Sequence, residues 1–196
     1  MFCGLNVVNT LVCKVQLSIF FTKFATKNGN MASKDIHIER LREYAINHSK
    51  LGDYSIHGVS HWDRVARNAD ALLTSDVDEL VVKAFAYIHD VERINEGDDW
   101  QHGPRAALLV DEIRSSMLGF LNDQEIEQLK EACRLHTIRH RTEDATVNAC
   151  FDADRLDLGR VGITPNPDKM ATEAGRILAE KMALENPEED WLLNGG

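Results

Sequence analysis

A chain of 196 residues is long enough to bury a substantial core as a single domain, and 43% apolar with 28% charged residues matches an ordinary globular protein. The formal net charge is −10, and because the first 30 residues hold Lys14, Lys23 and Lys27 with no acid, residues 31–196 carry −13. A body that acidic is a poor non-specific binder of nucleic-acid polymers or of an anionic membrane surface, and neither is expected as a partner. A phosphorylated substrate would need local help from a metal or a few arginines.

Residues 1–30, "MFCGLNVVNTLVCKVQLSIFFTKFATKNGN", differ from the rest. Asn9, Lys14 and Gln16 interrupt the apolar stretches, so no run reaches the roughly 18–20 residues of a membrane span. A secretory signal's basic n-region is missing. "MASKD" at Met31 reads as a protein start. The segment is therefore set apart as a non-core extension or a mis-assigned start, an organelle-targeting peptide being the alternative that its lack of acids suggests and its lack of arginine opposes. The body is residues 31–196.

Helical periodicity then runs through the body. "DIHIERLREYAINHS" places Ile38, Leu41, Ala45 and Ile46 near one face. "SHWDRVARNADALLT" lines up Val65, Ala69 and Leu72. "DVDELVVKAFAYIHDV" is apolar almost all round, the mark of a central buried helix, with Asp76 as N-cap and Glu79 completing a capping box. "HGPRAALLVDEIRSSM" carries Pro104 in its first turn. "NDQEIEQLKEACRLHTIRH" is capped by Asn122 or Asp123. A short helix follows around "FDADRLDL", then the loop "GITPNP" and a last long helix, "PDKMATEAGRILAEKMALEN". No alternating strand pattern, repeat or low-complexity tract appears, and the fold is predicted to be all-α with about six to seven helices. Cys3, Cys13, Cys133 and Cys150 form no CxxC pair; they read as reduced thiols of a cytoplasmic protein, Cys133 and Cys150 as small core residues.

"YIHDVER" puts His89 and Asp90 where the central helix should be buried. Desolvating such a pair without partners costs several kcal/mol. Hydrogen bonds alone could satisfy it, but His61 begins the second helix, His102 the fourth, His136 lies in the fifth, and Asp154 follows in "FDADRLDL". Imidazole and carboxylate together suit divalent Mn, Fe, Co, Ni or Zn, and facing helices of a bundle can bring such ligands to one point.

The ordered set His61, His89-Asp90 and Asp154 resembles the H…HD…D signature of the HD superfamily of metal-dependent phosphohydrolases, over about residues 35–185. "HGVSHWDRV" resembles the family's first-ligand helix, "HDVER" its central helix, and "DADRLDLGRVG" its last-ligand segment, the most specific of the three and one associated with small single-domain members. The resemblance implies a divalent metal (Mn, Fe, Co, Ni, Zn or Mg) held by His61, His89, Asp90 and Asp154. It puts His102 and His136 where some members carry extra histidines, for a second metal or for substrate phosphate, although His102 follows the pair by only 13 positions.

It implies a hydrolase acting on a small phosphate ester, a nucleotide first among them. Asp90 would take a proton from the attacking water, and His102 or His136 would give one to the leaving group. Arg93, Arg155 and Arg160 are the candidate phosphate contacts, each equally suited to an ion pair with a neighbouring carboxylate. His140 lies one turn from His136 and could exchange roles with it. His57, one turn before His61, sits at a glycine loop. His37 and His48 read as surface residues, Trp62 and Trp191 as packing. No GxSxG, P-loop or GxGxxG pattern offers another chemistry. The competing readings are an HD-type di-iron oxygenase and a non-catalytic metal- or nucleotide-binding module.

Overall fold

The structure, a computed structural model, describes residues 33–52 and 54–185. The calls on residues 1–30 and on Trp191 lie outside them. The core and the site lie in the unit that begins at His37.

Seven α-helices are present and no strand among the described residues. They are α1 (Ser33–His48), α2 (Val59–Ala71), α3 (Glu79–Ile88), α4 (His102–Met117), α5 (Asp123–Leu135), α6 (Ala145–Arg155) and α7 (Glu173–Glu185), with short 3-10 turns η1 (Leu158–Val161) and η2 (Pro167–Lys169) before the last. None is long and apolar enough to cross a membrane.

The apolar run of α3 decides the arrangement. Val81, Val82 and Ala84 to Ile88 are all buried, so only the edge carrying Glu79, Leu80 and Lys83 is left partly open to water. Fully burying a Val, Ile or Phe side chain stabilises by about 1.5–3 kcal/mol, and α3 can do so only inside a cage. Helices α2, α5 and α6 pack around it, and α4 packs on α5. A three-way tie joins the near side. Asp63 of α2 accepts two N–H groups from Arg42 of α1, at 2.7 and 2.8 Å, and the Tyr87 hydroxyl of α3 at 3.2 Å.

Three boundaries differ from the periodicity, each for a local reason. The α3 cap is Asp78, not Asp76: its carboxylate accepts from the N–H groups of Leu80 and Val81, and its own N–H is held by the Thr146 hydroxyl. The helix before the last aspartate starts at Ala145, earlier than expected, because Asp144 caps it through Val147 N–H. The last helix is broken. The buried Asp152 carboxylate takes the N–H groups of Ala171 and Thr172 and the Thr172 hydroxyl, each at 2.8 Å, holding that segment out of helix until Glu173. The α5 cap is Asn122, with Glu125 completing the box.

Candidate metal centre

Six polar side chains of the core come from the ends of helices. His61 lies in the first turn of α2 and His102 opens α4, whereas His89 and His136 cap the C-termini of α3 and α5. Asp90 follows His89, and Asp154 is in the last turn of α6. His61, His89, Asp90, His102 and His136 are all buried.

One glycine makes half of this convergence achievable. A Cβ on Gly103 would lie 2.5 Å from the Cys133 carbonyl oxygen, so only glycine lets the start of α4 cross the end of α5 this closely. That crossing brings His102 against His136 despite the short interval after the HD pair.

The donors form two groups that share one carboxylate. In the first, His61 Nε2 lies 3.1 Å from His89 Nε2, and each is 3.7 Å from Asp90 Oδ2. Asp154 Oδ1 flanks this triad, 3.3 Å from His61 Nε2 and 3.8 Å from His89 Nε2. In the second, Asp90 turns its other oxygen, Oδ1, to His102 Nε2 at 3.1 Å and His136 Nε2 at 3.9 Å, with the two imidazoles 2.9 Å apart. Donors about 2.1 Å from one ion stand about 3.0 Å apart in octahedral and about 3.4 Å apart in tetrahedral geometry. The measured spacings fall around those values.

Proton placement sharpens the picture. His61 Nδ1 pairs with Asp157 Oδ2 at 2.7 Å, His89 Nδ1 with the Phe85 carbonyl at 3.1 Å, His102 Nδ1 with the Asp99 carbonyl at 2.5 Å and His136 Nδ1 with the Cys133 carbonyl at 2.8 Å. Those partners are acceptors, so each Nδ1 carries a hydrogen, and on a neutral ring Nε2 then turns a lone pair inward. Lone pairs facing two carboxylates repel unless a cation lies among them, whether the proton that Asp154 and Asp157 favour on His61 or a metal ion. Pinning the far nitrogen of a ligand histidine to an oxygen is also how proteins orient metal-binding imidazoles. The buried groups could hold one metal ion at His61, His89 and Asp90 and one at Asp90, His102 and His136. The all-nitrogen and oxygen set suits Mn, Fe, Co, Ni or Zn.

Titration behaviour reports the same field. Burial pushes His89 down to about 3 and lowers His136 as well. Burial also opposes charge on His61, but its hydrogen bonds to Asp154 and Asp157 raise it above the usual imidazole value. Burial opposes ionisation of Asp90 and Asp154, yet the surrounding histidines hold both well below the ordinary carboxylate range. Burial raises both the Cys133 and the Cys150 thiols, which fits the inert core role read from the sequence.

The sequence singled out further residues, and their placement varies. Arg93 donates from Nε to Asp90 Oδ1 at 3.1 Å and from Nη1 to the Gly97 carbonyl, and lines a cavity of about 190 Å³ with His102. Arg155 spends Nη1 and Nη2 on the carbonyls of Arg139, His140 and Lys169 and stacks on Phe151. It braces the chain around α6, and its Nη1 also lies 3.4 Å from Asp152 Oδ1. Arg160 ties the Ile56 carbonyl to that of Asp157 and borders a second cavity of about 360 Å³ with Arg64. His140 and His48 are exposed, and Trp62 is buried packing.

Two residues were underrated. Asp157 holds His61 Nδ1 and accepts from Arg64 Nε at 2.6 Å; its spacing of three from Asp154 on a helical turn was the available signal. His57 Nδ1 lies 2.9 Å from Asp90 Oδ2, and the side chain is 11% exposed.

Searches of family models, curated proteins and solved structures found no match to the chain.

Proposed function

We propose that this chain is a divalent-metal-dependent phosphohydrolase of the HD type, cleaving a small phosphate ester, with nucleotides the first class to test. The observation that carries the reading is Asp90: one buried carboxylate turning its two oxygens to two separate histidine pairs. The order His61, His89-Asp90, Asp154 along the bundle agrees with the resemblance seen in the sequence.

The chemistry supplied by bound divalent ions is a more acidic water and compensation of charge on the phosphoryl oxygens. The chain's own groups divide the remaining work. His102 and His136 present Nε2 lone pairs while their Nδ1 hydrogens stay on carbonyls, so they serve as ligands rather than as the leaving-group acid. His57 takes over the proton duty, because its Nδ1 shares a hydrogen with Asp90 Oδ2 and its side chain reaches solvent. Arg93 steadies Asp90 through Nε and has Nη2 left to grip a phosphate.

The test is a phosphate-release screen across nucleotides and sugar phosphates, with Mn, Co, Ni, Mg and Zn each supplied. Asp90→Asn should lower turnover by at least about 100-fold, the scale of losing a main electrostatic contribution, and weaken metal binding. Full turnover in that variant with unchanged metal content would end this reading. The same carboxylate-bridged nitrogen and oxygen set also suits two irons, which favours a di-iron oxygenase as the second reading. Iron content, colour and oxygen consumption without phosphate release would select it.

A further inference from the structure

The 190 Å³ cavity beside His102 is lined by Arg93, Gly97, Asp98, Asp99, Trp100 and Thr137. Its wall contains an unusual side chain for such a place. Trp100 is 66% exposed, although it stands between Asp99 and His102, both buried.

The loop that displays it is tightly held. Asp99 accepts from Ile94 N–H at 3.0 Å and from Arg105 Nη2 at 2.5 Å, and its carbonyl receives His102 Nδ1. Arg93 Nη1 holds the Gly97 carbonyl, and Gly97 N–H is held by the Asn95 side chain. With Asp99 before it and His102 two positions after it held in this way, the backbone sets Trp100 at the cavity. A single exposed tryptophan on a surface needs no explanation; one lining a cavity that includes a histidine of the cluster does. Asp98 lines the same cavity and has no hydrogen bond or ion pair among the described residues. It offers two acceptor oxygens to a ring edge bearing N–H groups.

We propose that the cavity is a subsite for a flat aromatic ring carried by the leaving group, stacked on Trp100, with Asp98 accepting from ring N–H donors. The inference rests on the cluster being where the phosphate binds. A nucleobase and a plain aryl group share the stacking chemistry, and Asp98 favours the nucleobase.

The experiment measures calorimetric binding to the Mn-loaded full chain of three non-cleavable phosphonates. They are the analogues of guanosine 5′-monophosphate and of ribose 5-phosphate, and phenylphosphonate. The guanosine analogue should bind roughly 5- to 150-fold more tightly than the ribose one, the range that base stacking on an aromatic side chain supplies. Trp100→Ala should cut that ratio by at least about 5-fold, Trp100→Phe should keep most of it, and Asp98→Ala should weaken the guanosine arm but not the phenyl arm. Equal binding of guanosine and ribose analogues, no binding by any arm, or a ratio unchanged by Trp100→Ala overturns the subsite. Phosphate release from the corresponding esters is scored separately. Release with a ratio near one removes the subsite and leaves the hydrolase, whereas a clear ratio with no release under any metal removes the hydrolase.

Discussion

Gly103→Ala tests whether the second donor group is built by a close helix crossing. The added Cβ would meet the Cys133 carbonyl oxygen at 2.5 Å, with His136 Cε1 at 3.4 Å and the Arg134 carbonyl at 3.5 Å. Two of the three neighbours are backbone, so the clash cannot be relieved by a rotamer. The start of α4 must retreat from α5 by about 0.5–1 Å to reach an ordinary contact. Overpacking of this kind costs about 1–3 kcal/mol, and alanine's better helix propensity returns about 0.5–1 kcal/mol. The net loss of about 0–2.5 kcal/mol corresponds to at most about 10 °C in melting temperature for a chain of this size. The larger effect is local. His102 and His136 stand 2.9 Å apart across that crossing, and their separation should weaken the second metal equivalent by about 10- to 100-fold, the cost of misoriented ligands. Thermal melts and metal titration by isothermal calorimetry read both. Gly119→Ala, where a Cβ meets nothing within 4 Å, is the control. If Gly103→Ala melts with wild type and takes up the same two equivalents at the same affinity, the crossing does not build the site.

Other outcomes follow from the same geometry. Asp157→Asn removes the charged anchor of His61 Nδ1 and should lower affinity for the first metal equivalent by about 10- to 100-fold with little change in the second; equal loss at both sites would contradict the assignment. Arg93→Ala should raise the KM for a phosphate ester while metal content stays the same, and a fall in metal content alone would make Arg93 a brace for Asp90. In the metal-free protein, acidification from pH 6.5 should destabilise the fold. The unfolded chain protonates its histidines near 6.5, whereas His89 resists until about 3 and His136 is lowered in the same sense, so the unfolded state gains protons first. His61 is raised, which gives the opposite slope above 6.5 and places the maximum near there. Denaturant melts in excess chelator across pH 4–9 check this, and stability that grows on acidification would refute it.

Much of this was legible because apolar periodicity reports burial. The all-round apolar surface of "ELVVKAFAYI" announced a central helix, and a histidine and an aspartate at its end announced a polar requirement inside the core. Chemistry closed over long separations was harder to read. The Asp152 clamp joins residues 19 and 20 positions apart and interrupts a pattern that looks helical throughout. His57 looked like a loop residue because Gly58 follows it, and only the fold shows that loop lying against Asp90. Arg155 and Arg93 are the same residue type beside the same motif, yet one is consumed by carbonyls and the other lines a cavity. Residue type and spacing cannot separate those fates, because each depends on which backbone oxygens the packed helices leave within reach.

The four Nδ1 anchors carry a kinetic consequence. An imidazole whose far nitrogen is tied to Asp157, or to the carbonyls of Phe85, Asp99 or Cys133, cannot spin freely about its Cβ–Cγ bond. The anchors hold the rings in a ligating orientation, so ion capture is expected to need no folding step. Stopped-flow mixing with a divalent ion should give a single phase whose rate is linear in ion concentration. Its dependence on the ion should follow how quickly each sheds its own water, with nickel far slower than manganese.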